Sequence, residues 1–244
     1  MDKEKKILVL TGASRGIGHA TVRCFNDAGW RILTCSRQVF DARCPWPGGK
    51  ENHVEADFSD STSTARAIDE IKDKLDGKLH ALVNNAGISP KSANGQRLNT
   101  FETELKTWYN IFQVNFYTPL LLAKAFQSEL VAAKGAIVNT TSVAGSRVHP
   151  FAGTGYATSK AALATLTREM AYDFGTLGVR VNAIAPGEVE TEMLSKGFDQ
   201  IISGLPLGRI GQPSEVADAI FFLGSPNSSY ITGAGISING GQLV

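Results

Sequence analysis

The feature that most limits the possible fold is the stretch Lys6 to Gly18, where an apolar run leads into a glycine-rich turn. Ile7 to Leu10 are apolar and predict a buried strand. Gly12, Gly16 and Gly18 follow, and a helical pattern comes after them. Glycine lets a backbone turn sharply and approach a ligand closely, and a helix N-terminus attracts anions. The stretch predicts either a phosphate-binding turn or a glycine-rich strand-to-helix turn without a ligand.

Strand patterns and helical patterns alternate along the rest of the chain. Strands are predicted at 7–10, 30–35, 54–56, 79–83, 136–139, 179–184 and 234–238. Helices are predicted at 19–28, 61–75, 101–131, 155–174 and 213–223, with Asp60 or Ser61 capping the second and Pro119 bending the third near Asn115. The segment 36–52 is rich in proline and glycine, so a full helix there is not expected. Nearly continuous apolar strands between helices are typical of a parallel sheet covered on both faces. We expect a single α/β domain over residues 1–244.

Composition limits the classes of partner and site. The net charge of +1 over 244 residues gives no reason to expect nucleic acid or an anionic membrane as a partner. No signal peptide and no bilayer-spanning run is recognisable, so a cytoplasmic protein is expected. Cys24, Cys35 and Cys44 suit reduced thiols better than a disulfide frame. The four histidines show no metal-ligand spacing, and no metal is expected.

Small and polar residues follow the predicted strands. In an open parallel sheet, ligands bind beyond the carboxyl ends of the strands. The residues at those ends are the three glycines, then Ser36 and Arg37, Asp57, Asn84 to Gly87, Thr140 to Ser142, and Pro186 with Gly187. Small and polar residues gathered at one edge of the sheet are what a nucleotide-binding cleft requires, so the set predicts such a cleft.

Tyr156 and Lys160 are the pair that points most directly to catalysis. They are four residues apart on a predicted helix, so they lie on one face. A nearby ammonium favours the phenolate, so we expect Lys160 to lower the pKa of Tyr156 and to make it a general acid or base. Ser142, just past the fifth strand, could hydrogen-bond the same reacting oxygen. Alone, a Tyr-x-x-x-Lys pair is an ordinary helix surface pair, but here it accompanies the other motifs.

Taken together, these motifs resemble those of the classical short-chain dehydrogenases/reductases. The resemblance rests on Thr11 to Gly18, Asn84 to Gly87, Asn115, Ser142, Tyr156 to Lys160, Pro186-Gly187 with Thr191, and Tyr230 to Gly233, and it spans nearly the whole chain. It implies a Rossmann-type fold, doubly wound around a parallel sheet of about seven strands, and nicotinamide-dependent oxidoreduction.

The resemblance also implies a role for each matching residue. Tyr156 would be the general acid or base, Lys160 would bind the nicotinamide ribose and tune Tyr156, Ser142 would orient the substrate carbonyl, and Asn115 would hold a water in a proton relay. The implied cofactor-binding residues are Gly12, Ser14, Arg15, Gly16, Ile17, Gly18, Ser36, Arg37, Asp57, Phe58, Asn85, Ala86, Gly87, Tyr156, Lys160, Pro186, Gly187, Val189 and Thr191.

The end of the second strand bears on which cofactor is bound. NAD-binding proteins of this fold usually carry an acid there, and Ser36 takes that place. Serine does not repel a 2′-phosphate, and the guanidinium groups of Arg15 and Arg37 suit phosphate oxygens. We expect NADP(H) rather than NAD(H). The alternative is that both arginines are ordinary surface residues.

The substrate is the least constrained part of the prediction. Segments near 88–100, 147–153 and 188–205 should wall the pocket, with His149 as a loop residue. The region after Pro206 resembles the 3-oxoacyl-carrier-protein reductases, but the arginines those enzymes use for docking the carrier are replaced by Ala132 to Lys134 and Thr176 to Gly178. We expect a ketone or secondary-alcohol substrate. A carrier-protein reductase and a non-catalytic nucleotide sensor remain alternatives, and the resemblance implies a homotetramer, or else a homodimer.

Overall fold

The structure, a computed structural model, describes residues 5–40, 46, 48–194 and 202–244 of the chain. The described residues form the strands β1 (Ile7–Thr11), β2 (Arg31–Ser36), β3 (His53–Glu55), β4 (Ala81–Asn84), β5 (Ala136–Thr140), β6 (Arg180–Pro186) and β7 (Gly235–Ile238). They make one sheet in the order β3-β2-β1-β4-β5-β6-β7, and every neighbouring pair is parallel. The strand order reverses direction between β1 and β4, which is the doubly wound arrangement. The predicted fold class is confirmed.

Helices cover both faces of this sheet. The helices are α1 (Gly16–Asp27), α2 (Ser61–Asp73), α3 (Leu105–Phe112), α4 (Thr118–Ala125), α5 (Gln127–Ala133), α6 (Thr154–Gly175) and α7 (Pro213–Gly224). A π-helical turn, Gln113–Tyr117, joins α3 to α4, and short 3₁₀ turns lie at Val143–Gly145 and Pro226–Ser228.

The core is divided in two by the sheet, because successive strand residues point to opposite faces. In β1, Val9 packs into the core cluster under α2, α4 and α6, whereas Leu10 packs into the cluster under α1 and α7. Both side chains are fully buried, and burial of a residue of this size stabilises the fold by roughly 1.5–3 kcal/mol. The two layers hold the carboxyl ends of the strands in fixed positions along one edge.

The prediction of one long helix over 101–131 is wrong. Residues 101–104 precede α3, and the segment is divided into α3, the π-helical turn, α4 and α5. Pro119 lies in the first turn of α4, where its missing N–H removes one hydrogen bond of a regular helix. The Thr118 hydroxyl instead donates to the carbonyl of Gln113 at 2.9 Å. The irregularity expected near Asn115 is therefore present as a π-helical turn.

Several smaller expectations can be compared with the structure. The Asp60 carboxylate accepts a hydrogen bond from the Ser63 N–H at 2.6 Å, so Asp60 rather than Ser61 caps α2. No described residue between β2 and β3 is helical, as expected. Cys44 and residues 195–201 of the predicted wall segment near 188–205 lie outside the described residues, while Cys24 and Cys35 are free thiols. Within the described ranges, no helix is both long and apolar enough to span a bilayer.

Candidate active site

The glycine turn after β1 has the conformation that its residues predicted. Gly12 and Gly16 have φ values of +69° and +53°, a region that favours glycine. A Cβ on Gly12 would lie 2.9 Å from the Ala86 backbone, and one on Gly16 would lie 3.0 Å from the Thr191 side chain. These close approaches leave a narrow cradle between the turn and the two neighbouring loops.

A close packing contact also requires glycine at position 18. A Cβ at this position would lie 2.0 Å from the carbonyl oxygen of Gly12. Gly18 is buried, and its lack of a side chain lets helix α1 approach the turn. That Gly18 also binds the cofactor stays a prediction.

The residues that follow β4 are bonded to the end of β1. The hydroxyl oxygen of Thr11 accepts hydrogen bonds from the N–H groups of Asn85 and Ala86, at 3.1 and 3.0 Å. The Asn85 amide in turn donates to the carbonyl of Gly12 at 3.0 Å. Asn84 is buried and donates to Asn139 on β5 at 2.8 Å. The Asn-Asn-Ala-Gly stretch thus holds three strand ends together beside the glycine turn.

At the end of β2, Ser36 occupies a buried position where its hydroxyl donates to the carbonyl of Gln38 at 2.9 Å. The same carbonyl lies 2.8 Å from His53 Nε2. These two contacts fix the turn that presents Arg37, whose side chain is exposed and lines the cleft. Asp57 follows β3, the strand that pairs with β2, and also lines the cleft. Hydrogen bonds from Ser59 hold the pKa of the Asp57 carboxyl below its usual value, and the charge of Arg37 contributes in the same direction.

Tyr156, Lys160 and Ser142 lie together in the cleft. Tyr156 and Lys160 are on the first turns of α6, and Ser142 follows β5. The Lys160 ammonium lies 5.7 Å from the centre of the Tyr156 ring and donates to the carbonyl of Thr140 at 2.7 Å. Lys160 is 3% exposed, so its ammonium group is almost completely shielded from water. Three of the four residues predicted as catalytic are thus adjacent.

The pKa of Tyr156 is shifted in the direction opposite to our expectation. Burial raises it, the nearby charge of Glu188 adds to that effect, and hydrogen bonding with Ser142 opposes it. Burial also lowers the pKa of Lys160 to about 8. Desolvation disfavours the charged form of both groups, so it raises the pKa of the phenol and lowers the pKa of the ammonium. In this state Tyr156 is a neutral phenol, which suits it to donate a proton.

Asn115 lies behind the cleft rather than in its lining. It is fully buried in the π-helical turn, where its side-chain oxygen accepts from the Ile88 N–H at 2.9 Å and its amide donates to the Ile88 carbonyl at 3.0 Å. A second amide bond, 3.0 Å, reaches Ser159. Asn115 therefore fixes the loop after β4 against α6, and the relay role implied by the family resemblance stays a prediction.

The cleft has a volume of about 320 Å³ and runs from the glycine turn to the segment after β6. All predicted cofactor residues except Gly18 line it, namely Gly12, Ser14, Arg15, Gly16, Ile17, Ser36, Arg37, Asp57, Phe58, Asn85, Ala86, Gly87, Tyr156, Lys160, Pro186, Gly187, Val189 and Thr191. Each of the three predicted wall segments also contributes lining residues. Arg15 is exposed at the mouth and forms an ion pair with Glu192.

Sequence reasoning missed a charged group on the substrate side of the cleft. His149, expected to be a loop residue, is buried and its Nε2 lies 2.7 Å from Oε1 of Glu188. Lys91 lines the same part of the cleft and donates to the carbonyl of Phe151. The only signal for Glu188 was its place directly after Pro186-Gly187, at the end of a strand.

The described part of the chain contains no cluster of three or more His, Cys, Asp and Glu side chains arranged to hold a metal ion.

Comparisons with known proteins agree with this geometry. A family model described as enoyl-(acyl carrier protein) reductase matches residues 12–242. Protein FixR of Bradyrhizobium diazoefficiens is 56% identical over 98% of this chain and 87% of its own length. A meso-2,3-butanediol dehydrogenase of Serratia marcescens is 33% identical over 98% of this chain and 94% of its own length.

A solved structure shares both the sequence and the fold. An oxidoreductase of the short-chain dehydrogenase/reductase family from Brucella ovis, in complex with a partially ordered NAD, has a TM-score of 0.84 and 57% identity and covers 97% of this chain and 100% of its own. The chain described here belongs to the short-chain dehydrogenase/reductase family of oxidoreductases.

Proposed function

We propose that this protein is an NADP(H)-dependent enzyme that moves a hydride between the nicotinamide and a ketone or secondary alcohol, with Tyr156 as the general acid or base. The observation that carries the proposal is the adjacency of Tyr156, Lys160 and Ser142 at one end of a nucleotide-sized cleft. The glycine turn lies at the other end.

The cleft fits a dinucleotide. The cradle that a Cβ on Gly12 or Gly16 would fill, beside the N-terminus of α1, suits the approach of a pyrophosphate. Ser36, Arg37 and Asp57 lie where the adenosine half would be held, and Pro186, Gly187 and Thr191 lie toward the nicotinamide half. When bound, the cofactor supplies or accepts the hydride.

The chain's own residues handle the oxygen of the substrate. Ser142 donates a hydrogen bond that orients the carbonyl, and Tyr156 gives a proton to the same oxygen in reduction or takes it back in oxidation. Lys160 stabilises the phenolate that this transfer leaves, because its ammonium lies next to the ring. Donors that are already in place lose little free energy to reorganisation during the reaction.

The preference for NADP(H) is supported by the end of β2. Ser36 carries no charge that would repel a 2′-phosphate, and Arg37 is exposed toward the cleft with its turn fixed by Ser36 and His53. Arg15 stands at the same mouth, with Glu192 as its partner. The Brucella ovis relative was solved with NAD, so the cofactor is the first property to measure in this protein.

The test is a side-by-side titration of the purified chain with NADPH and NADH, followed by nicotinamide fluorescence, and then a screen of ketones and secondary alcohols with both cofactors. We expect tighter binding of NADPH by at least tenfold and turnover with that cofactor. Tighter binding of NADH would contradict the phosphate argument and leave the catalytic assignment intact. Binding without turnover of any substrate would favour a nucleotide sensor, and binding of neither would contradict the proposal.

A 3-oxoacyl-carrier-protein reductase is the second candidate, because a relative of that name from Thermotoga maritima is 32% identical over the whole of this chain. An acyl-carrier protein is acidic and needs a cationic docking surface. The places expected to provide it hold Ala132, Ala133 and Lys134, and Thr176, Leu177 and Gly178. Reduction of an acetoacetyl thioester with a kcat/KM above that of simple ketones would make this second candidate the better one.

Exposed apolar residues support self-association. Tyr109, Tyr117 and Leu121 are exposed on the α3–α4 segment, and Tyr172 on α6 is 81% exposed. Where such side chains form a contiguous patch, the patch can mark a surface that is covered in an assembly. We propose a homotetramer, for which light scattering should give about four times the chain mass of 26.0 kDa. A mass near 26.0 kDa would contradict any assembly, and twice that mass would indicate the homodimer.

A further inference from the structure

The substrate end of the cleft contains a buried carboxylate beside the catalytic tyrosine. Glu188 directly follows Gly187 after β6, and its side chain is 10% exposed. It lines the cleft together with Tyr156 and Ser142, and its charge reaches the Tyr156 phenol. Burial of a carboxylate costs free energy unless hydrogen bonds compensate for it.

His149 supplies a hydrogen bond to one of the two oxygens of this carboxylate. The Nδ1 of His149 accepts a hydrogen bond from the Phe151 N–H at 3.2 Å, so its proton is on Nε2. Nε2 therefore donates to Oε1 of Glu188, at 2.7 Å. This bond reaches Oε1, and the Glu188 side chain lines the cleft together with Tyr156 and Ser142. A purely structural Glu–His bond would not need to place this carboxylate in the cleft lining.

Lys91 balances the charge of Glu188. It lies in the same part of the cleft, held by the Phe151 carbonyl, and the two charges interact. The two opposite charges offset each other, so Glu188 does not by itself favour a cationic substrate. A hydroxyl group matches this environment, because it donates to a carboxylate and accepts from an ammonium. An acyl chain against the same wall would desolvate Glu188 without replacing its hydrogen bonds.

We propose that Glu188 selects substrates with a second hydroxyl group close to the reacting carbon, a vicinal diol or the α-hydroxyketone formed from it, by accepting a hydrogen bond from that hydroxyl. His149 acts as the positioning residue for this carboxylate. The inference rests on the proposed function, since it assigns the substrate class of the same site.

The test compares kcat/KM for 2,3-butanediol and 2-butanol, with the cofactor that the protein prefers. The wild-type ratio should favour the diol by at least tenfold. Glu188→Leu should lower that ratio by at least tenfold, and Glu188→Gln, which keeps the shape and an acceptor for His149, should lower it by a smaller factor. The matched control is Glu190→Gln, on the same segment but exposed and bonded to Gln212 outside the cleft, and it should leave the ratio unchanged.

A binding measurement separates this inference from the proposed function. Acetoin and 2-butanone are titrated by calorimetry into wild type and both Glu188 variants, each loaded with the oxidised cofactor, so no turnover is needed. Acetoin should bind more tightly than 2-butanone to wild type, and Glu188→Leu should remove the difference.

If this holds while no substrate is turned over, Glu188 keeps its role and the proposed function fails. Equal binding of the two ketones to wild type, no binding of either, or a diol ratio unchanged in both variants would overturn the assignment of Glu188.

Discussion

The ammonium group of Lys160 donates a hydrogen bond to the carbonyl oxygen of Thr140 at 2.7 Å, joining the helix that carries Tyr156 to the end of strand β5. This bond places a charge inside the cleft, 5.7 Å from the tyrosine ring. Because the lysine is almost fully buried, the protein retains this charge at a cost in stability, as expected for a group that serves a reaction.

That cost predicts how stability depends on pH. The pKa of Lys160 is lowered to about 8 in the folded chain, from an ordinary value of 10.5. Between these two values the unfolded chain binds more protons than the folded chain, so stability rises with pH. Relative to Lys160→Met, the free energy of unfolding of wild type should increase by up to about 3 kcal/mol from pH 7 to pH 10.

Denaturant unfolding of both proteins at each pH measures this difference. Both retain Tyr156, so titration of the phenol affects both curves. A difference between the two proteins that stays constant over this range, or falls, would show that Lys160 is not desolvated as the structure indicates.

Arg37 should govern the choice between the two nicotinamide cofactors. Arg37→Glu places a carboxylate where a 2′-phosphate would be held, so the dissociation constant for NADPH should rise roughly 10–100-fold, and that for NADH should change little. Fluorescence titration of both cofactors measures the effect. Arg168→Glu, on the exposed surface of α6, is the charge-matched control and should change neither constant. An equal loss of affinity for both cofactors in Arg37→Glu would argue against a phosphate contact.

Alanine substitutions at Gly18 and, as a control, at Gly175 test the packing role of the glycine turn. A Cβ on Gly18 would lie 2.0 Å from the Gly12 carbonyl oxygen, so Gly18→Ala should destabilise the fold by more than about 3 kcal/mol or prevent it from forming. A Cβ on Gly175, at the end of α6, would meet no atom within 4 Å, so Gly175→Ala should be neutral or stabilise by up to about 1 kcal/mol. Thermal unfolding compares the two. Similar melting temperatures for both variants would show that helix α1 does not need a glycine at this contact.

Periodicity and strand-end chemistry predicted most of this site. The alternation of apolar strands and helices indicated the parallel sheet, and that sheet alone brings the glycine turn, Ser142 and Pro186 to one edge. The four-residue spacing of Tyr156 and Lys160 was enough to predict that both lie on one face of a helix. These are local patterns, and local patterns are readable from one sequence.

Other features depended on contacts that no local pattern encodes. His149 and Glu188 are 39 positions apart and meet only because their segments face each other across the cleft. The π-helical turn at Asn115 reflects Pro119 together with the Thr118 hydroxyl, and proline alone predicted only a bend. The direction of the Tyr156 pKa shift depends on how deeply the phenol is desolvated, which spacing does not reveal.

The measurement that tests the central claim most directly is turnover and cofactor binding by Tyr156→Phe, measured on the same preparation. Removing one hydroxyl should lower kcat by about 10²–10⁴-fold, because the proton donor to the substrate oxygen is lost. Binding of NADPH should stay within twofold of wild type, since the ring and Lys160 remain in place. A variant that turns over as fast as wild type would contradict the assignment of Tyr156 as the general acid or base.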